Sequence, residues 1–442
     1  MELQNNKKRW WIILTATVIL IAILALFGER IFYQMVSASI KMPEELPETR
    51  DLSETLTREQ AEQDVNAVFS TISKKHKMRE RDPAAFKKVE EQYKQVLSQL
   101  YDGMTIREEW ILVSELEHEL KDAHSCVRLN FHDKEKLHYI GPVFEADDAR
   151  GLWYQEEGQR YRLLAVNGVS ADEIYENARK RLAYENIYWL SAVLEKQLSD
   201  AENMQLLGIP YQEDAVSVAY DRAGEEFVKN LPYCSYEQAY PEEAVPYSAE
   251  YDEALSLAVF TLNEMMYTDE YFSFVSDFLD EVKDRGIQNL VLDLRNDGGG
   301  NSRCGEPFTA FLTKDFEGRA YALVSHKTFS SGVLFTLALR QSNAVLVGEQ
   351  TGGSPNSYGE VRNYTMPNSH LLYRVTQKYF SSGGGSLDTV TPHVLVDEKQ
   401  ALDRVKEMIR EDQAAFWLRN IGESGLKNAG LWRNNNCEKN GA

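Results

Sequence analysis

The sequence predicts a mixed α/β protein, and three features of its patterning carry that prediction. From about residue 251, short apolar strands such as Leu290 to Leu294, Tyr321 to Val324 and Ala344 to Val347 alternate with helical stretches, the rhythm of a largely parallel, buried sheet. Before residue 136, apolar residues recur at helical spacing. Between these regions, residues 137 to 250 read as short strands, turns and mixed structure.

The helical region starts at Thr57, whose Thr-x-x-Gln60 pattern is a capping box. Ala61, Val65, Val68, Phe69 and Ile72 then form an apolar stripe. A second helix carries Phe86, Val89, Tyr93, Val96, Leu97 and Leu100. A third starts at Thr105-x-x-Glu108 and places Trp110, Val113, Leu116 and Leu120 on one face. These stripes are core faces. In the insert, Asn167-Gly168 marks a turn and Ala171 to Leu182 reads as a helix. In the core region, Phe272 to Val282 has helical spacing.

The N-terminus sets the compartment. Trp10 to Phe27 is an apolar run without charge, long enough as a helix for a hydrocarbon core of about 30 Å. Lys7, Lys8 and Arg9 precede it and Arg30 follows, so the positive-inside rule leaves residues 1–9 in the cytoplasm and the rest outside. The expected organisation is an uncleaved anchor over 10–27, a stalk over 28–52, a helical cap over 53–136, a β-rich insert over 137–250, an α/β core over 251–412 and a tail over 413–442. The competing reading of the run is a cleaved signal peptide. A net charge of −21 argues against nucleic acid as a partner. Cys126, Cys234, Cys304 and Cys437 lack zinc-finger spacing.

The sequence has no Gly-x-Ser-x-Gly elbow, P-loop or dinucleotide fingerprint. A metalloprotease helix needs histidines at i and i+4, a spacing that His118 and His124 do not have. Two glycine-rich segments follow strands. Leu292 to Gly300 leaves a strand for a triple glycine, a loop that can turn its amides inward as an anion nest. Thr328-Phe329-Ser330-Ser331-Gly332 precedes a helical run from Val333 to Leu339. A serine at a helix N-terminus is most often a cap. It is also where free amides and the helix dipole stabilise charge developing on an attacked carbonyl. Spacing alone leaves both Ser330 and Ser331 as candidate nucleophiles.

Taken together, Leu290 to Gly300, Thr328 to Gly332 and Gly348-Glu-Gln-Thr-Gly-Gly353 resemble, in order and spacing, the core of the tail-specific (C-terminal processing) serine peptidases. The resemblance runs over roughly residues 55 to 400. It implies Ser330 as nucleophile, with the backbone N–H groups of Gly299 and Ser331 as the oxyanion hole. Lysine-base members carry their base just after the Gly-Glu-x-Thr-x-Gly segment, where this chain has Ser354. Lys121-Asp122-Ala123-His124-Ser125 instead resembles the Asp-x-His-(Ser/Thr) segment of the tricorn-like and retinoid-binding-like branch. That implies His124 as general base, with a near-neutral pKa expected. Asp388, four residues before Pro392, matches the segment that supplies the third group; Glu360 and Asp122 are alternatives. His393 stands where an aspartate usually follows the proline, and Asp297 where an asparagine or neutral residue is usual. Arg295 and Asn296 are expected to brace the glycine loop.

The resemblance further implies a crotonase/ClpP-like α/β core with an N-terminal helical cap and a small insert, PDZ-like or degenerate, around Ala165 to Gly168. No metal or organic cofactor is expected. The expected partners are a peptide or protein substrate and the membrane. The expected function is that of a membrane-anchored, extracytoplasmic serine peptidase. The alternatives are a catalytically silent peptide- or lipid-binding relative and a hydrolase of non-peptide esters.

Overall fold

A computed structural model describes residues 46–149, 151–241, 245–382 and 388–415. The expected anchor over 10–27 lies outside the described residues, as does most of the tail; among the described residues, no helix is long and apolar enough to cross a membrane. All elements below belong to the unit that begins at Thr49. The stalk expected over 28–52 therefore runs too far. Thr49 and Leu52 are buried, and the Thr49 amide bonds the Asn130 carbonyl at 2.9 Å. The tail also begins too early, because a helix that starts at 401 runs through 415.

The helical layer comprises Arg58–Lys75, Met78–Arg81, Pro83–Gln99 and Ile106–His118. Both expected capping boxes are closed, at Thr57 with Gln60 and at Thr105 with Glu108. Asp82 caps the Pro83 helix, where a proline in the first turn forfeits no hydrogen bond. The short strands Thr55–Leu56 and Met104–Thr105 pair antiparallel and tie the start of the first helix to the start of the last.

That last helix leads into the strand Val127–Arg128, which adds to an antiparallel hairpin of Ser357–Thr365 and Leu372–Phe380. A segment from the N-terminal third is thereby stitched to one that follows the core sheet. The hairpin loop is locked by Asp64, a fully buried carboxylate that accepts from the amides of Asn368 and Ser369, both at 2.8 Å.

The insert is a second antiparallel sheet of Phe144–Ala146, Leu152–Glu156, Gln159–Val166, Ala215–Arg222 and Glu225–Pro232. Asn167 and Gly168 both have positive φ, as a tight two-residue hairpin turn requires. Helices Ala171–Arg181 and Ile187–Gln197 interrupt this sheet between its third and fourth long strands.

The core sheet has six strands in the order Tyr247–Asp252, Leu257–Leu262, Asn289–Asp293, Arg319–Val324, Val345–Gly348 and Val394–Leu395. Only the first pairing is antiparallel. Period-two alternation explains why the strands read as unbroken apolar runs. Leu290 and Leu292 face a cluster with Val275, Phe278, Phe308 and Phe335, whereas Val291 faces the other side, against Ala401, Val405 and Ile409. With both faces covered, chemistry is confined to the carboxyl ends of the strands, where loops leave the sheet. The triple-glycine loop follows Asn289–Asp293, and Ser330 follows Arg319–Val324, its immediate neighbour.

Candidate active site

Ser330 sits at the head of the helix Ser331–Gln341 with φ 53° and ψ −122°. That backbone is costly for any residue with a Cβ. It makes no side-chain cap on the helix, so its hydroxyl is left for something else. The surroundings enforce the turn. Thr328 is fully buried and donates to the Leu294 carbonyl at 2.7 Å, while its oxygen accepts from the Ser325 amide. The Phe329 amide bonds the Asp297 carbonyl at 2.9 Å. The glycine at 299 is obligatory: a Cβ there would meet Ser330 Cβ at 2.8 Å and Ser331 N at 2.9 Å, and its φ is 93°.

His124 Nε2 lies 3.0 Å from Ser330 Oγ. The histidine ring is held between carboxylates on one side and the Phe329 ring on the other, with ring centroids 4.4 Å apart. Trp189 stacks on the far side of the same Phe329 at 3.8 Å. His124 Nδ1 faces Asp122 Oδ1 at 3.7 Å and Glu185 Oε1 at 3.6 Å.

Asp122 is fully buried and accepts four hydrogen bonds: from the His124 amide at 2.9 Å, His76 Nε2 at 3.1 Å, Ser125 Oγ at 2.6 Å and Thr376 Oγ1 at 2.7 Å. His76 Nδ1 accepts from the Met78 amide, so its proton belongs on Nε2, pointing at Asp122. Burial alone would raise the Asp122 pKa, but bonds from His124 and His76 and their charges outweigh it and hold the carboxyl far below its usual range. For His124, burial works to lower the pKa, and the Asp122 and Glu185 carboxylates, 3.7 and 3.6 Å from Nδ1, overcome it, pushing the imidazole up to about 9. Two carboxylates facing Nδ1 set His124 above the near-neutral value that suits a general base.

The third group expected at Asp388 is not where the base is. Asp388 is exposed, and its carbonyl, not its carboxylate, is engaged: it accepts from Asn186 Nδ2 at 2.6 Å and Ser354 Oγ at 2.7 Å. Glu360 lies in the Ser357–Thr365 strand and pairs with Lys378 and Arg362. The sequence reading missed Glu185. The Ser354 amide, at the position that carries lysine in lysine-base relatives, donates to Glu185 Oε2 at 3.0 Å. Its neighbour Asn186 caps the helix Ile187–Gln197 and donates to the carbonyls of Gly352 and Asp388. An Asn at a helix start three residues before Trp189 is a visible cap signal; nothing in the pattern marks the preceding glutamate.

On the opposite side of Ser330, the Gly299 amide donates to Asp297 Oδ1 at 2.8 Å. Asp297 is fully buried, and its Oδ2 has no partner. Burial raises its pKa to about 7, helped by the charge of Glu264 and opposed by the Gly299 bond. The Gly299 donor expected for an oxyanion is therefore spoken for in this state. Arg295, expected to brace the glycine loop, instead grips Asp293 through two nitrogens at 2.9 and 2.6 Å and the Glu398 carbonyl at 2.7 Å; Asn296 is exposed.

Two side-chain groups have the spacing to hold a cation: Asp122, His124 and Glu185, and His326, Glu349 and Glu398. In the first, His124 Nε2 is committed to Ser330 and Asp122 is saturated with donors. In the second, Lys327 already bonds Glu398 at 2.7 Å and His326 pairs with Glu349 at 2.6 Å. Cys126, Cys234 and Cys304 are free thiols.

A serine on a strained turn, with an imidazole on its oxygen and a glycine loop behind it, can form and hydrolyse an acyl-enzyme. Comparison with known proteins agrees. Residues 305–396 match the family model described as peptidase family S41. On that match the chain is a serine-type peptidase with an S41-like segment over residues 305–396. Among solved structures, the chain is similar to mature CPAF, at 11% identity and a TM-score of 0.57, covering 80% of this chain and 98% of that one. A photosystem II D1 C-terminal processing protease aligns at 14% identity and a TM-score of 0.46, covering 77% and 93%. At such identities, the CPAF likeness speaks to the fold. No curated protein sequence matches the chain.

Proposed function

We propose that this peptidase is anchored in the membrane by residues 10–27 and cleaves peptide bonds outside the cytoplasm, through an acyl-enzyme on Ser330 with His124 as general base. The observation that carries the proposal is the 3.0 Å approach of His124 Nε2 to Ser330 Oγ. Ser330 Oγ attacks the scissile carbonyl as neutral His124 takes its proton. The Ser331 and Gly299 amides hold the resulting oxyanion, and His124 returns the proton to the leaving amine. Water then repeats the sequence and releases the acyl group. Asp122 and Glu185 orient the ring and stabilise the imidazolium, replacing Asp388 in that role. The core sheet fits a crotonase/ClpP-like reading. Anchoring and location rest on the N-terminal sequence alone.

One observation favours the silent binding relative as a second reading: the Gly299 amide is held by Asp297. Labelling of the full-length protein with a fluorophosphonate probe across a range of pH separates the two. Under the catalytic reading, wild type labels, Ser330→Ala does not, and His124→Ala labels about 10²–10⁴-fold more slowly. A folded wild type that fails to label at every pH favours the silent relative.

A further inference from the structure

Beside the catalytic pair lies a cavity of about 410 Å³ that none of the residues above explains. Ala123, which precedes His124, and Trp189, which stacks on the residue before Ser330, both line it. It is also lined by Arg128, Lys134, Arg181, Lys196 and Arg374, and by no aspartate or glutamate among the described residues. In a chain of net charge −21, a recess whose charged lining residues are all cationic is out of keeping with the rest of the surface.

The sheet builds the centre of this wall. Leu372 pairs with Arg128, Tyr373 pairs with Val127, and the Arg374 amide bonds the Cys126 carbonyl. Cys126, Arg128 and Arg374 therefore project from one face of the sheet, with the two arginines diagonal neighbours across the ladder. Like charges so placed repel unless an anion sits between them. Among the described residues, neither Arg128, Lys196 nor Arg374 has a carboxylate partner, and Arg374 Nε is buried without a hydrogen bond. Arg181 reaches Glu115 at 3.4 Å, and Lys134 lies over the Tyr236 ring. Glu117 acts on Arg374 only electrostatically. Its own oxygens are buried without partners, and burial and the Asp122 charge push its pKa well above the carboxylate range against the pull of Arg374.

We propose that this cavity is a substrate subsite that takes a carboxylate of the bound peptide, with Arg128 and Arg374 as its principal ligands. The carboxylate comes either from an acidic side chain or from the chain terminus; both present the same two oxygens to a guanidinium fork. The proposal rests on the reading of Ser330 and His124 as the catalytic pair, since that places the cavity on the path of the substrate.

The test is equilibrium binding of four dye-labelled peptides of one sequence to full-length Ser330→Ala protein. They carry Glu or Gln at the central position and a free or amidated C-terminus. One carboxylate-bearing form is expected to bind at least about tenfold tighter than the doubly neutral peptide. The arm that responds, side chain or terminus, identifies the source. That preference is expected to vanish in Arg128→Gln, Lys196→Gln and Arg374→Gln backgrounds; the first two alter exposed residues and should leave the fold intact. Equal binding of all four peptides, binding of none, or a preference that survives Arg128→Gln and Arg374→Gln together would overturn it. Because this reads binding, it stands apart from fluorophosphonate labelling of wild type: absent labelling sinks the catalytic pair, while absent preference sinks the subsite.

Discussion

The two sides of Ser330 are both governed by buried aspartates, and they behave in opposite ways. On the base side, Asp122 accepts four hydrogen bonds and its pKa is driven far down. On the oxyanion side, Asp297 is equally buried but accepts one bond from the Gly299 amide, and its pKa rises to about 7. Burial favours the neutral acid in both places; the number of donors decides which way each carboxyl goes. Asp122 is therefore a permanent anion that lifts His124, whereas Asp297 changes charge near neutral pH.

The largest break in this comparison is expected from Asp122→Ala. Removing the acceptor strands His76, Ser125 and Thr376 in the interior, and losses on breaking buried pairs run to about 3–5 kcal/mol. The midpoint of denaturant unfolding measures it. A change within experimental scatter would mean that the four donors find other partners.

Asp297→Asn comes next. Neutral His124 is needed for attack, so the labelling rate rises with pH through about 9. Ionised Asp297 retains the Gly299 donor and sets a negative charge beside the oxyanion, so that contribution falls as pH rises through about 7. The two requirements pull in opposite directions with pH. One pH unit above its pKa, a carboxyl is only about one-tenth neutral, so at pH 8 the asparagine variant is expected to label about tenfold faster than wild type. Below pH 6 the two should coincide. Matching profiles throughout would disconnect Asp297 from the oxyanion site.

Much of this asymmetry was legible in the sequence, and some was not. Ser330 and His124 were legible only through the family segments they resemble, since spacing alone left Ser331 open beside Ser330. The core strands were plain, because burial on both faces leaves apolar runs that alternate with helices. Asp297 was visible as a charged residue in a position usually neutral. Glu185 was not, because its role depends on an amide at Ser354, far along the chain, and no periodicity encodes that contact. Asp388 misled for the converse reason: its residue type suited the task, but the fold engages its carbonyl.

Glu185→Gln is the subtlest probe. Losing one of the two carboxylates at His124 Nδ1 should let burial pull the imidazole pKa down. The rising limb of the labelling profile then moves to lower pH, while Asp122 keeps the ring in place and preserves most of the high-pH rate. An unmoved limb would assign the lift in His124 to Asp122 alone.

The pairing of Val127–Arg128 with the Leu372–Phe380 strand has a consequence for biosynthesis. A ribosome delivers His124 first, Ser330 after 206 further residues, and Thr376, which clamps the carboxylate behind the histidine, later still. Only a chain that reaches Thr376 holds all three, so the pairing of Ser330 with a clamped His124 is completed late in synthesis.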